Sequence, residues 1–109
     1  MAANLFAGLP ATAQATELID TLLERPGLRI ERIVSTGQAS QPGFWYQQED
    51  AEWVVVLSGA ARLRFEDETD VRPLGRGDWL YIAPQRRHRV EWTDPSVPCV
   101  WLAVHHAGD

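Results

Sequence analysis

Lysine is absent from this 109-residue chain: all ten cationic side chains are arginine, so no amine is available for Schiff-base chemistry or as a lysine base. Cysteine is almost absent. The one thiol, Cys99, cannot close an intramolecular disulfide, and its apolar, β-rich neighbourhood points to a buried, inert side chain. Positive charge is also scarce. Fifteen acidic residues against ten arginines leave a formal charge of -5, which excludes a general attraction to nucleic acid phosphates. Apolar runs such as Trp53 to Leu57 fall far short of the roughly 18 residues that span a bilayer, so no membrane segment is expected. The N-terminus lacks the basic segment and apolar core of a signal peptide, which makes a reducing cytoplasm the expected location. No phosphate-cradling glycine loop, Cys-x-x-Cys pair or nucleophile elbow occurs, which removes kinase, dithiol and serine-hydrolase chemistry.

What is present is an ordinary globular composition, with 45% hydrophobic and 23% charged residues, in a length that holds one domain and one core. Ala13, Ala15, Leu18, Ile19, Leu22 and Leu23 recur at three- and four-residue spacings, which predicts a short amphipathic helix over 12–25. Pro26-Gly27 would stop it. Residues 1–27 are therefore expected as a helical segment packed on a barrel formed by 28–109. From Leu28 onward, segments rich in Val, Ile, Trp, Tyr and Phe alternate with turn residues. Strands are predicted at 28–35, 43–48, 52–58, 60–66, 70–74, 78–83, 87–93 and 97–105. Ser58-Gly59 reads as a tight hairpin between Trp53–Leu57 and Ala61–Phe65, with Arg62 and Arg64 facing solvent. Glu66 to Asp70 reads as an exposed hairpin tip, and Gly75-Arg76-Gly77-Asp78 as a turn. Many short antiparallel strands predict an all-β jelly-roll sandwich or barrel.

Alternation places Glu52 on the face of Val54 and Val56, where a carboxylate needs a cation, a hydrogen-bond donor or a metal. The same period puts Arg86, His88, Val90 and Trp92 on one face of the strand after Pro84. Of the adjacent His105-His106, at most one can look inward, and a surface or terminal pair is expected.

These spacings resemble the cupin superfamily, small jelly-roll barrels with two signature stretches, G-x5-H-x-H-x3or4-E-x6-G and G-x5-P-x-G-x2-H-x3-N. Glu52 and Gly59 match the end of the first. The places of its two histidines fall on Trp45 and Gln47 or on Tyr46 and Gln48. In the second, Gly77 and His88 hold their spacing, while Ala83, Gln85 and Trp92 stand for its Pro, Gly and Asn. The resemblance implies a cupin-like jelly-roll β-barrel and, in the complete motif, one divalent metal ion serving dioxygenases, isomerases or decarboxylases. Only Glu52 and His88 of that ligand set remain, with Gln47, Gln48 and Tyr46 as weaker donors nearby.

Trp45, Tyr46, Gln47, Gln48, Glu52, Arg86, His88 and Trp92 are accordingly the expected ligand-binding residues, with Glu52 and His88 the metal candidates. Arg86 suits an anionic group if it shares the His88 face, and otherwise pairs with the acidic hairpin. Three functions follow. The first is a small-molecule-binding barrel, possessing weak catalysis or none. The second is a metal-dependent enzyme built on Glu52 and His88. The third is an interaction module that forms a homodimer through an exposed sheet face.

Overall fold

A computed structural model describes residues 2–108. Eight strands form two antiparallel sheets. They are β1 (Leu18–Arg25), β2 (Leu28–Ser35), β3 (Ala51–Ser58), β4 (Ala61–Phe65), β5 (Arg72–Leu74), β6 (Trp79–Ile82), β7 (His88–Thr93) and β8 (Cys99–His106). The larger sheet runs β1-β2-β8-β3-β6 and the smaller runs β5-β4-β7. The all-β jelly roll is thus present, and the two sheets enclose its interior.

The expected N-terminal helix is absent among the described residues, and Leu18–Arg25 is a strand instead. Two local features explain the difference. Pro26-Gly27 joins Arg25 to its partner Leu28, with Gly27 at φ 74, the residue order of a type II turn rather than a helix stop. A register shift between Thr21 and Leu23 inserts Leu22 as an extra residue. That bulge breaks strict alternation, so apolar residues at 18, 19, 22 and 23 imitate helical spacing. The larger sheet therefore begins at Leu18, with β1 as its first strand.

The predicted strand at 43–48 shrinks to one bridge between Tyr46 and His88. Gly59 does not close a hairpin, because β3 and β4 lie in different sheets. It carries the chain between them at φ 83, and a Cβ there would stand 2.6 Å from the Pro98 carbonyl oxygen. Only glycine fits that approach. Arg62 is exposed while Leu63 and Phe65 are buried, as alternation requires. The acidic segment does form the β4–β5 tip, where Glu68 pairs with both Arg72 and Arg86.

The core gathers Val54, Val56, Leu63, Phe65, Leu74, Ile82, Cys99 and Trp101 between the sheets. Burial pushes the Cys99 thiol up to about 12, so it is neutral and unreactive at ordinary pH. No helix among the described residues is long and apolar enough to cross a membrane.

Candidate functional site

The sheets separate at one end of the core and leave a cavity of about 260 Å³. Val54, Leu63, Ile82 and Trp101 belong to both the core and the lining, so the core is the floor of the cavity. This volume lies just below the usual range of drug-sized sites and suits a small ligand.

Each strand brings its polar group by simple alternation. On β3, Glu52 shares the inner face with Val54. On β8, His105 shares it with Trp101. On β2, Arg29 and Glu31 precede Ile33 on the same face, and on β7 His88 precedes Val90. Register then aligns them: Glu52 is the cross-strand partner of His105, and Arg29 pairs with His105 on the other side. Glu17 stands at the mouth, ahead of β1.

Glu52 is at the centre. Its Oε1 accepts a hydrogen bond from the Gln48 amide at 3.0 Å. The same oxygen lies 4.0 Å from His88 Nε2 and 4.0 Å from His105 Nδ1. His88 Nδ1 is 3.0 Å from the Arg86 carbonyl oxygen, which can only accept, so the proton of the neutral ring sits on Nδ1 and Nε2 offers a lone pair. His105 Nε2 is 3.0 Å from Glu31 Oε1, which fixes the opposite tautomer and leaves Nδ1 with the lone pair. Glu31 also pairs with Arg29 at 3.2 Å.

Tyr46 forms part of the wall. Its backbone bridges His88 in both directions, and its ring stacks on the His88 imidazole with centroids 5.6 Å apart. Burial, then the charges of Glu17 and Glu52, raise its phenol pKa. Burial likewise raises the pKa of Glu17, partly offset by a hydrogen bond with Ser35.

Of the residues expected from sequence, Tyr46, Gln48, Glu52 and His88 line the cavity. Trp45, Gln47, Arg86 and Trp92 do not. Trp92 is turned outward by a register shift in β7: Arg62 opposes Trp92 while Leu63 opposes Val90, so Glu91 is the extra residue. Thr93 takes the inward place and is 1% exposed. Trp92 instead stacks under the Arg62 guanidinium at 4.6 Å, and Trp45 lies 5.8 Å from both Arg64 and Arg89 on the same outer side. Gln47 is exposed. Arg86 pairs with Asp67 and Glu68 and covers the Phe65 ring, so it holds the acidic hairpin.

His105 corrects the expectation of a surface pair, being 6% exposed inside the cavity, whereas His106 stacks on Tyr81 outside. Sequence reasoning also passed over Arg29 and Glu31. The signal was available, since Glu31 alternates with Ile33 as Glu52 does with Val54.

The metal ion implied by the resemblance does not fit these side chains. Adjacent donors around a first-row ion, each at about 2.1 Å, stand about 3.0 to 3.4 Å apart. Glu52 Oε1 is 4.0 Å from either imidazole nitrogen. Among the described residues no group of three His, Cys, Asp or Glu side chains is placed to hold an ion.

Comparison with known proteins agrees with the fold. A family model for the cupin domain matches residues 32–105. A crystal structure from Ralstonia eutropha JMP134, of a protein named as a candidate mannose-6-phosphate isomerase, is 50% identical, with 99% of each chain covered and a TM-score of 0.95. A cupin superfamily protein from Desulfitobacterium hafniense DCB-2 is 15% identical, covering 92% of this chain and 84% of its own, with a TM-score of 0.74. A cupin-family protein with a double-stranded β-helix fold from Methanocaldococcus jannaschii is 14% identical, covering 86% and 83%, with a TM-score of 0.69. No curated protein matches the chain.

Proposed function

The chain belongs to the cupin superfamily, and from that premise we propose that it binds a small molecule in the cavity between its sheets. The carrying observation is a 260 Å³ space whose apolar floor meets a cluster of Gln48, Glu52, His88 and His105 at one end. Apolar walls supply affinity and a few fixed polar groups supply orientation. Thermal-shift screening with a library of small metabolites tests it: at least one compound raises the Tm in wild type, and the gain is lost on filling the cavity with Val90→Trp. A library that leaves the Tm unmoved counts against the proposal.

A second function is favoured by the 50% identity to the Ralstonia protein named as a candidate isomerase. Isomerisation of a hydroxy-carbonyl compound moves a proton between neighbouring carbons. The Glu52 carboxylate and the His88 Nε2 lone pair, 4.0 Å apart, are two bases, either of which can take up that proton and return it to the neighbouring carbon. The metal-dependent form of this chemistry lacks support from the donor spacing. Incubation with mannose 6-phosphate, followed by NMR, tests the enzymatic function, and product formation that disappears in Glu52→Gln supports it.

Homodimer formation rests on the outer face of the larger sheet. Cross-strand register lines up Leu23, Ile30, Val104, Trp53 and Tyr81 across all five strands, a continuous apolar row. Light scattering tests this, with Trp53→Arg expected to convert dimer to monomer.

A further inference from the structure

The polar end of the cavity gathers three acceptors around Glu52. His88 Nε2 and His105 Nδ1 offer lone pairs, and Glu52 offers a carboxylate, with its Oε1 4.0 Å from each. His105 is 6% exposed, and its Nδ1 is buried with no hydrogen-bond partner. An orphaned acceptor at that depth carries a desolvation cost that a bound donor removes. The nearby donors sit against carboxylates: the Gln48 amide donates to Glu52, and the Arg29 guanidinium forms an ion pair with Glu31.

Net charge sharpens this picture. Glu17, Glu31 and Glu52 line the cavity against the single guanidinium of Arg29, so an anionic group entering it meets repulsion. A hydroxyl both donates and accepts, and its lone pairs would face three acceptors. An ammonium group has three donors and no acceptor, which is the complement of what the trio presents. The remaining lining of Ile19, Ile33, Val54, Leu63 and Ile82 suits an apolar body attached to that head.

We infer that Glu52, His88 and His105 form a receptor for the ammonium head of a small organic amine with an apolar body, in the place where the family resemblance implies a metal. The inference rests on the cavity being a ligand site. Within it, Glu31 is a positioning residue, because its bond to His105 Nε2 turns Nδ1 toward the ligand.

Three probes with one carbon skeleton test it by calorimetric titration at neutral pH: cyclohexylammonium, cyclohexanol and cyclohexanecarboxylate. The ammonium binds at least about tenfold more tightly than the alcohol, and the carboxylate does not bind. Glu52→Gln weakens the ammonium about tenfold and changes the alcohol by less than about twofold. If that variant fails to fold, the imidazole nitrogen resonances of His105 in wild type decide, moving on addition of the ammonium and not of the alcohol. Equal binding of ammonium and alcohol overturns the inference and leaves the cavity proposal standing. Binding of the carboxylate overturns it too, as does stoichiometric retention of a divalent ion through chelation. Binding of none of the three overturns both.

Discussion

The two sheets contribute unequally to the cavity. The larger brings Arg29, Glu31, Glu52 and His105 on its inner face, whereas β4 and β7 of the smaller bring Leu63, Val90 and one polar side chain, His88. Their outer faces differ in the opposite sense. The larger sheet exposes Trp79 and Tyr81, while the smaller carries Arg62, Arg64 and Arg89 against Trp45 and Trp92. One sheet thus holds the buried charge and an apolar exterior, and the other holds an apolar interior and a cationic exterior. Alternation makes the two faces of any strand independent, so a single chain can assign opposite chemistry to each.

Removing the anchor of the smaller sheet has the largest effect. Phe65 is fully buried and carries the guanidinium groups of Arg72 and Arg86 on its ring. Phe65→Ala costs about 3 to 5 kcal/mol, measured by urea unfolding. In the larger sheet, Glu31→Gln weakens the bond to His105 and leaves Arg29 without its ion-pair partner, at a cost of about 2 kcal/mol. Comparable losses in the two variants would erase the distinction between a sheet anchored by apolar burial and one anchored by a charge network.

A smaller effect tests the loop between the sheets. Gln85 stands at φ 67, a conformation that costs a non-glycine residue about 1 kcal/mol or more. Gln85→Gly relieves it, less the added chain entropy of glycine, and raises stability by under about 1 kcal/mol in the same unfolding assay. The smallest effect is pH-dependent. Burial raises the pKa of Glu17 in the folded protein above its ordinary 4.5, so the native state favours the protonated acid. Its contribution is complete below pH 4.5 and declines as pH rises through the higher folded value. Glu17→Gln removes that decline, and Tm measured from mildly acid to neutral pH falls less steeply than in wild type. An unchanged slope would show that Glu17 is solvated at the mouth.

Much of the larger sheet's site was legible because β3 obeys strict alternation: Glu52, Val54 and Val56 face inward as their spacing requires. His88 was legible for the same reason. Trp92 was not, because the extra residue at Glu91 reverses the face halfway along β7, and nothing in the local composition marks it. The N-terminal strand was concealed in the same way by Leu22. Both misassignments come from bulges, which change the period of a strand without changing its residue types. The Gln85 position teaches the converse. It stands at the glycine position of the family signature and has a left-handed backbone without glycine, a conformation its residue type does not announce.

The bulge in β1 also bears on solubility. This strand is a free border of the larger sheet, and it exposes Ile19, Leu22 and Leu23. A straight ribbon of such residues would offer an unbroken ladder of amides to any passing extended chain, the first rung of fibrillar stacking. The inserted leucine interrupts that ladder midway, and the Asp20–Arg32 pair at 2.6 Å places charge beside the break. The irregularity that disguised the strand in the sequence therefore serves as its guard against polymerisation.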